Sequence, residues 1–319
     1  MSAAATPLPH ATPTWTPVVT QGKPHGRHEA AFVPVGNKIH LLGGRRIQVV
    51  DTFDPATHTW SEGAPPPVEV HHFQPVVWEE KIWLVGAMTG AYPHETALDH
   101  TPIYDPATNT WSRGPGLPAG RRRGCMGAAL HEGRLYVVAG IINGHWDGHV
   151  AWFDVLDLAT GVWSQLPDAP RARDHFQASV VGGKLYAVGG RRTCAATKEV
   201  FTLMTPEVDV YDFATGHWST LPPSSHFPTL RAGTMNFVHG PWLVVAGGES
   251  PQPPAHNEVQ ALDTRTGRWI AWPRFYQGRH GSGLVRSGDF LYIASGCAHR
   301  GGSPEIDTTE RLELAGLPE

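Results

Sequence analysis

Five times along the 319 residues an aspartate is followed six positions later by a tryptophan: Asp54 and Trp60 in FDPATHTW, Asp105 and Trp111 in YDPATNTW, Asp157 and Trp163 in LDLATGVW, Asp212 and Trp218 in YDFATGHW, and Asp263 and Trp269 in LDTRTGRW. The copies recur at roughly fifty residues, a period typical of supersecondary repeats. Such units cannot bury their apolar faces alone and must stack on one another. A chain of this length ordinarily suggests two domains, but the repeat argues for one closed unit.

A second element precedes each tail, a strand-like run that stops at two small residues: IHLLGG (39–44), IWLVGA (82–87), LYVVAG (135–140), LYAVGG (185–190), LVVAGG (243–248) and LYIASG (291–296). The stretch from Arg27 to Gly44, RHEAAFVPVGNKIHLLGG, serves as the template. Each unit reads as four strands. A small-residue strand a is followed by strand b, a variable loop, strand c running into the Asp-x-x-Thr turn, and strand d near the Trp. Aspartate and threonine close such turns through local hydrogen bonds, and the indole buries a large apolar face between sheets. The abundance of Gly (36), Pro (29) and Trp (12) fits short strands joined by turns, and no helical periodicity is sustained, so almost no helix is expected.

The double glycine, the apolar-Asp pair and the Trp six residues on resemble the kelch repeat over residues 14–315, and that resemblance implies an all-β, six-bladed kelch β-propeller of four-stranded blades. The sixth tail, ERLELAGLPE, has no Trp of its own. The N-terminal TWTPVV, with Trp15, is therefore expected to supply strand d of the last blade and close the ring, which removes exposed sheet edges. Residues 1–13, rich in Ala, Thr and Pro, read as a disordered lead-in, and 14–319 as a single domain. The resemblance is specific to fold and not to function, because kelch propellers include adaptors, sugar-processing enzymes and metal oxidases.

A net charge of -4 and no basic run longer than Arg121, Arg122 and Arg123 argue against a nucleic-acid or anionic-membrane partner. No charged and apolar leader opens the sequence, no run approaches a membrane span, and three cysteines without CxxC spacing argue against a disulfide framework. A cytoplasmic protein with a small-molecule substrate, or a protein partner, is the expectation.

Aligning the units makes columns of equivalent residues. The first, at the entrance to strand a, holds Arg27, Val70, Arg123, Arg173, Arg231 and Arg279. These arginines read first as ties between blades, with Arg123, Arg173 and Arg279 also weighed as substrate-pocket residues. The second holds His28, His71, Gly124, Asp174, Ala232 and His280. Blades six, one and two are consecutive, so His280, His28 and His71 are expected to converge as a three-histidine ligand set for a divalent metal, copper or iron before zinc, since neutral imidazoles bind these ions well. Asp174 would face them as fourth ligand or base. The third column, Glu29, His72, Cys125, His175, Gly233 and Gly281, should turn to the opposite face if the strand is extended, leaving Glu29, His72 and His175 to orient the ligands or take catalytic roles, with a rival triad possible if the strand entrance twists.

The loops between strands b and c would wall the pocket. Tyr92 and Trp146 are candidates to stack on a substrate, Tyr276 is a loose candidate for a radical-site tyrosine by resemblance to copper oxidases, and the GHWDGH segment around His145 reads more readily as solvated loop than as metal site. The leading expectation is a metal-dependent enzyme. The alternatives are a peptide-binding module using Arg45, Arg121, Arg191 and Arg192, and a metal-free sugar epimerase or mutarotase.

Overall fold

The computed structural model describes residues 13–318, so the lead-in expected at 1–13 lies, but for its last residue, outside the described residues. Of the six four-stranded antiparallel sheets, five run a, b, c, d in chain order. In the first they are Ala30–Val35, Lys38–Gly43, Val50–Asp54 and Thr59–Gly63. The next four sheets occupy 74–114, 127–166, 177–220 and 235–272. The sixth joins Leu284–Ser287, Phe290–Ala294 and Thr309–Glu313 to Thr16–Pro17 at its outer edge. Each strand a packs on strand a of both neighbours, so the sheets form the blades of a closed propeller. Helix is limited to three single 3₁₀ turns among the described residues.

The tail motif does what its chemistry allows. The carboxylates of Asp54, Asp105, Asp157, Asp212 and Asp263 accept the backbone N–H two residues on, at 2.9 to 3.1 Å, which caps the c–d turn. The indoles of Trp111, Trp218, Trp269 and Trp15 reach back to carbonyls of the preceding unit, Ala64, Pro167, Ser225 and Pro273, at 2.9 to 3.1 Å. Blade is thereby tied to blade. The apolar cores lie in the same seams: Ala31, Val33, Leu42 and Val50 of the first blade pack on Ile82, Leu84 and Tyr104 of the second.

At the ring closure Thr16 and Pro17 pair with Arg311 and Glu310, and Val18 N–H donates to Thr309 O at 2.8 Å. Trp15, 4% exposed, packs edge-on against Phe275 at 4.9 Å. The N-terminal segment also bonds the first blade through Gln21, which donates to His58 O and accepts from Trp60 N–H, both at 2.9 Å.

The arginine column is part of this scaffold. Arg27, Arg123, Arg173, Arg231 and Arg279 are at most 1% exposed. Each donates to the carbonyl of the first small residue after its own strand b: Gly43, Ala139, Gly189, Gly247 and Ser295. Four also pair with a strand-c carboxylate, Asp51, Asp154, Asp209 or Glu310. The guanidiniums therefore tie b to c inside one blade instead of joining neighbours. Arg123, Arg173 and Arg279 have no free donor face to offer a substrate, which corrects their assignment to the pocket.

Candidate functional site

Where the chain enters each strand a it turns left-handed. Glu29, His72, Cys125 and His175 have φ of +54°, +56°, +51° and +53°, and Gly233 and Gly281, at the same column, +61° and +69°. A left-handed residue costs a side chain with Cβ about 1 kcal/mol or more, yet four of six positions accept it. The return is a ring of backbone bonds. His72 N–H donates to Glu29 O, Cys125 to His72 O, His175 to Cys125 O, Gly233 to His175 O, Gly281 to Gly233 O, and Ala30 to Gly281 O, at 2.7 to 3.4 Å. All six blades are stitched at one level around the axis.

The left-handed turn also overturns the expected alternation. Extended backbone would send the third column away from the axis; instead Glu29, His72, Cys125 and His175 line the channel, and the second column falls behind it. His71 is wholly buried, with Nε2 3.3 Å from Gly90 O and Nδ1 2.6 Å from His72 Nδ1. His28 Nδ1 bonds Glu305 at 2.7 Å, and its ring centroid stands 6.1 Å from that of His280, whose Nε2 faces His299 O and Gly301 O at 2.9 Å. The set His28, His71 and His280 does not converge on one point, because the ring that twists the entrance separates them.

What converges is His72, His145 and His175, with ring centroids 4.7 to 5.1 Å apart. His145 comes from the loop of the third blade. Gly144 lets that loop close on the second blade, since a Cβ there would stand 2.4 Å from Glu95 Oε2. His145 Nδ1 is 2.9 Å from Glu95 Oε1, which also receives Arg45 at 2.5 Å. His175 Nδ1 is 2.5 Å from Asp174 Oδ1, and Asp174 accepts Thr193 N–H and Oγ1–H at 2.8 and 2.6 Å. Asp174 thus positions His175 and does not itself face the channel as ligand or base.

Tautomers follow from the partners. Ionised carboxylates only accept, so Nδ1 carries the proton in both His145 and His175, and each Nε2 presents a lone pair. Those two Nε2 atoms stand 3.0 Å apart. In the His71–His72 pair, Gly90 O takes the proton of His71 Nε2, so His72 Nδ1 donates and its Nε2 is again a lone pair, 3.5 Å from Glu29 Oε2. Cys125 Sγ lies 3.7 Å from His175 Nε2.

Burial sets the charge states. It holds the His72 and His145 rings below the usual imidazole range, His72 further through its histidine neighbours, His145 despite Glu95, so both are neutral. Burial opposes ionisation of Asp174 and Glu95, but the imidazole and guanidinium partners override it and hold both carboxyls low. Glu29 is lowered as well, burial being outweighed by His175, His28 and His280. Burial drives the Cys125 thiol well up. Among the described residues the ligand atoms of His72, Cys125 and His175, and those of His72, Glu95 and His145, each fall within 4.8 Å of one another.

Above this level opens a cavity of about 490 Å³ whose walls include His28, Glu29, Arg45, Tyr92, Arg191 and Phe201. Arg191 is buried against Glu249 at 2.5 Å and stacks on Phe201, with its guanidinium carbon 5.0 Å from the ring centre. Tyr92 is 54% exposed, lies 5.1 Å from the His145 ring and lines the cavity at its mouth. Trp146 packs at a tilt against His94, ring centroids 4.8 Å apart, and is not a wall of the cavity. Tyr276, 73% exposed in the linker to the last blade, is also absent from it.

Sequence reasoning undervalued His145 and Glu95 and passed over Glu249. One more alignment column, the residue after the small pair (Arg45, Met88, Ile141, Arg191, Glu249, Cys297), would have found the Arg191–Glu249 pair. Nothing in the spacing of GHWDGH foretells that its loop folds inward; that depends on contact with Glu95.

Residues 117–296 match the family model described as the KLHDC2/KLHL20/DRC7 Kelch-repeats domain. The chain is 29% identical over 297 residues to Kelch-like protein terF of Aspergillus terreus, covering 88% of this chain and 63% of that protein. It is 31% identical over 175 residues to Kelch domain-containing protein 8B of Rattus norvegicus, covering 51% of this chain and 45% of that protein. The chain therefore spans less than two thirds of the length of either relative. In fold it superposes on the structure titled "Structure of YjhT" with a TM-score of 0.74 at 16% identity, covering 91% of this chain and 95% of that one. With tail motif, blades and family model in agreement, the chain belongs to the kelch-repeat family.

Proposed function

We propose that the axial mouth is the active site of a metal-dependent enzyme acting on a small molecule, with His145 and His175 as the paired imidazole donors to a divalent transition metal, copper or iron before zinc, and His72 beside them. The observation that carries the reading is the pair of lone-pair nitrogens of His145 and His175, 3.0 Å apart, each fixed by a carboxylate behind it. Two such nitrogens repel unless a positive charge lies between them. Donors about 2.0–2.1 Å from one ion stand roughly 3.0–3.4 Å apart at angles near 90–110°, and carboxylate-backed imidazoles are the usual way a protein fixes ring and tautomer for a metal. A bound ion would polarise a substrate oxygen or activate a bound water. Glu95 and Asp174 aim the rings, and Tyr92 and Phe201 wall the cavity.

A second reading has its own support. At 3.0 Å an added proton shared by His145 and His175 also satisfies both nitrogens, giving a metal-free acid–base site. Elemental analysis of natively purified protein with absorption spectroscopy separates the two. One equivalent of metal is expected, lost in His175→Ala with circular dichroism unchanged. Metal-free native protein, active in a strong chelator, would sink the first reading and favour the second.

A further inference from the structure

The floor of the mouth is the ring of left-handed residues, and three of them on consecutive blades carry metal-ligating side chains: His72, Cys125 and His175. The ring does not need those side chains. Its bonds are made by the backbone, and Gly233 and Gly281 make them at the same column without a Cβ. A left-handed conformation is unfavourable for a residue with Cβ, so on blades two, three and four the fold carries strain that the ring itself does not require. Strain of this kind collects at ligand sites.

The three side chains line the channel, and none is more than 5% exposed. Their ligand atoms fall within 4.8 Å of one another, in a set that includes Cys125 and not His145. Cys125 Sγ stands 3.7 Å from His175 Nε2. A nitrogen about 2.0–2.1 Å and a sulfur about 2.3 Å from one ion stand roughly 3.6–3.8 Å apart at angles near 110–120°. The observed separation falls in that interval.

This set differs in kind from the imidazole pair above it. A thiolate in place of one imidazole makes the donors softer, and soft donors favour copper(I). A monovalent ion and one thiolate also sum to zero charge, which a buried set tolerates at least cost. Zinc would leave a net positive charge and ordinarily takes a fourth ligand. The donors need not be free beforehand. Burial keeps the Cys125 thiol protonated in the ion-free chain; as the copper–sulfur bond forms, the S–H bond breaks and its proton leaves to solvent, with any held on a ligating nitrogen, and no electron is transferred.

We infer that His72, Cys125 and His175 form a three-donor site for copper(I) at the floor of the mouth. The site goes beyond the divalent reading and does not depend on it. Because both would use the one lone pair of His175 Nε2, the two ions exclude each other.

The test is anaerobic titration of the full chain with the acetonitrile complex of copper(I), in competition with bathocuproine disulfonate. One copper(I) per chain should be withheld from the chelator, and X-ray absorption at the copper edge should find one sulfur neighbour. Cys125→Ser, with circular dichroism unchanged, should weaken binding by more than the roughly 10–100-fold that loss of an outer-shell partner costs. Cys194→Ser, Cys297→Ala and His145→Ala should leave it within about threefold of the parent. Copper(I) surrendered to the chelator, a copper edge with nitrogen and oxygen neighbours alone, or full affinity in Cys125→Ser overturns the proposal. So does a loss in any of the other three variants as large as that in Cys125→Ser. Copper(II) titrated into the same proteins keeps the two sites apart: a chain that binds it through His145 and holds no copper(I) refutes this site and keeps the divalent one, and a chain that holds copper(I) alone does the reverse.

Discussion

Single side chains matter here chiefly through what they fix in others. Asp174 takes the Nδ1 proton of His175 and is itself held by two donors of Thr193. Replacing it by Asn keeps the volume but offers the imidazole a mixed partner in place of an anion. Asp174→Asn should therefore lower metal affinity 10–100-fold, as loss of such a partner does, with the melting temperature little changed; undiminished affinity in a competition assay would remove Asp174 from this role. Legibility was uneven at this scale. Residue types and columns picked out Glu29, His72 and His175 but put their side chains on the wrong face, because a period of two assumes φ < 0 and these residues are left-handed. His145 could not be placed at all, since its position comes from a contact with Glu95 fifty residues earlier in the chain.

Elements were far more readable. Five Asp–Trp tails and six small-residue pairs define six sheets because each motif performs a local task, an aspartate-capped turn or an indole bonded to the preceding blade. The odd blade was readable by subtraction: a sixth tail without Trp needs one, and Trp15 supplies it. Deleting residues 13–18 would strip the outer strand from the last blade and the indole from a site where it is 4% exposed. Loss of a buried Trp alone costs about 3–5 kcal/mol, a large fraction of a domain's stability. The truncated chain should melt well below the intact one, through the whole ring and not one blade; coincident melting curves would deny the closure its role.

For the molecule as a whole, several buried histidines make stability depend on acid. His40, on strand b of the first blade, is 5% exposed and bonds Thr52 Oγ1 at 3.0 Å. Burial lowers it from the usual 6.5 to about 4. The unfolded chain then binds more protons than the folded one between those values, so stability is full above pH 6.5 and is lost as pH falls toward 4. The shift corresponds to about 3 kcal/mol from this residue. Denaturant titrations at stepped pH should show the decline, with a shallower slope, by up to one proton, in His40→Gln; identical slopes would exclude His40 as a source. The same burial acts on His71, His72, His145 and His256, and no composition total separates these from exposed histidines.

The hydrogen-bonded ring at the mouth carries one more implication. The side chains that face the axis at that level come one from each of four blades, and every backbone bond there crosses a seam. A ligand gripped by them is therefore a keystone: its occupancy and the circular closure of the chain are linked, each stabilising the other. At a concentration a hundred times its dissociation constant such a ligand adds about 2.7 kcal/mol to the folded state, somewhat less than what a strand-d tryptophan contributes. The propeller then reports its own cargo through its mechanical integrity.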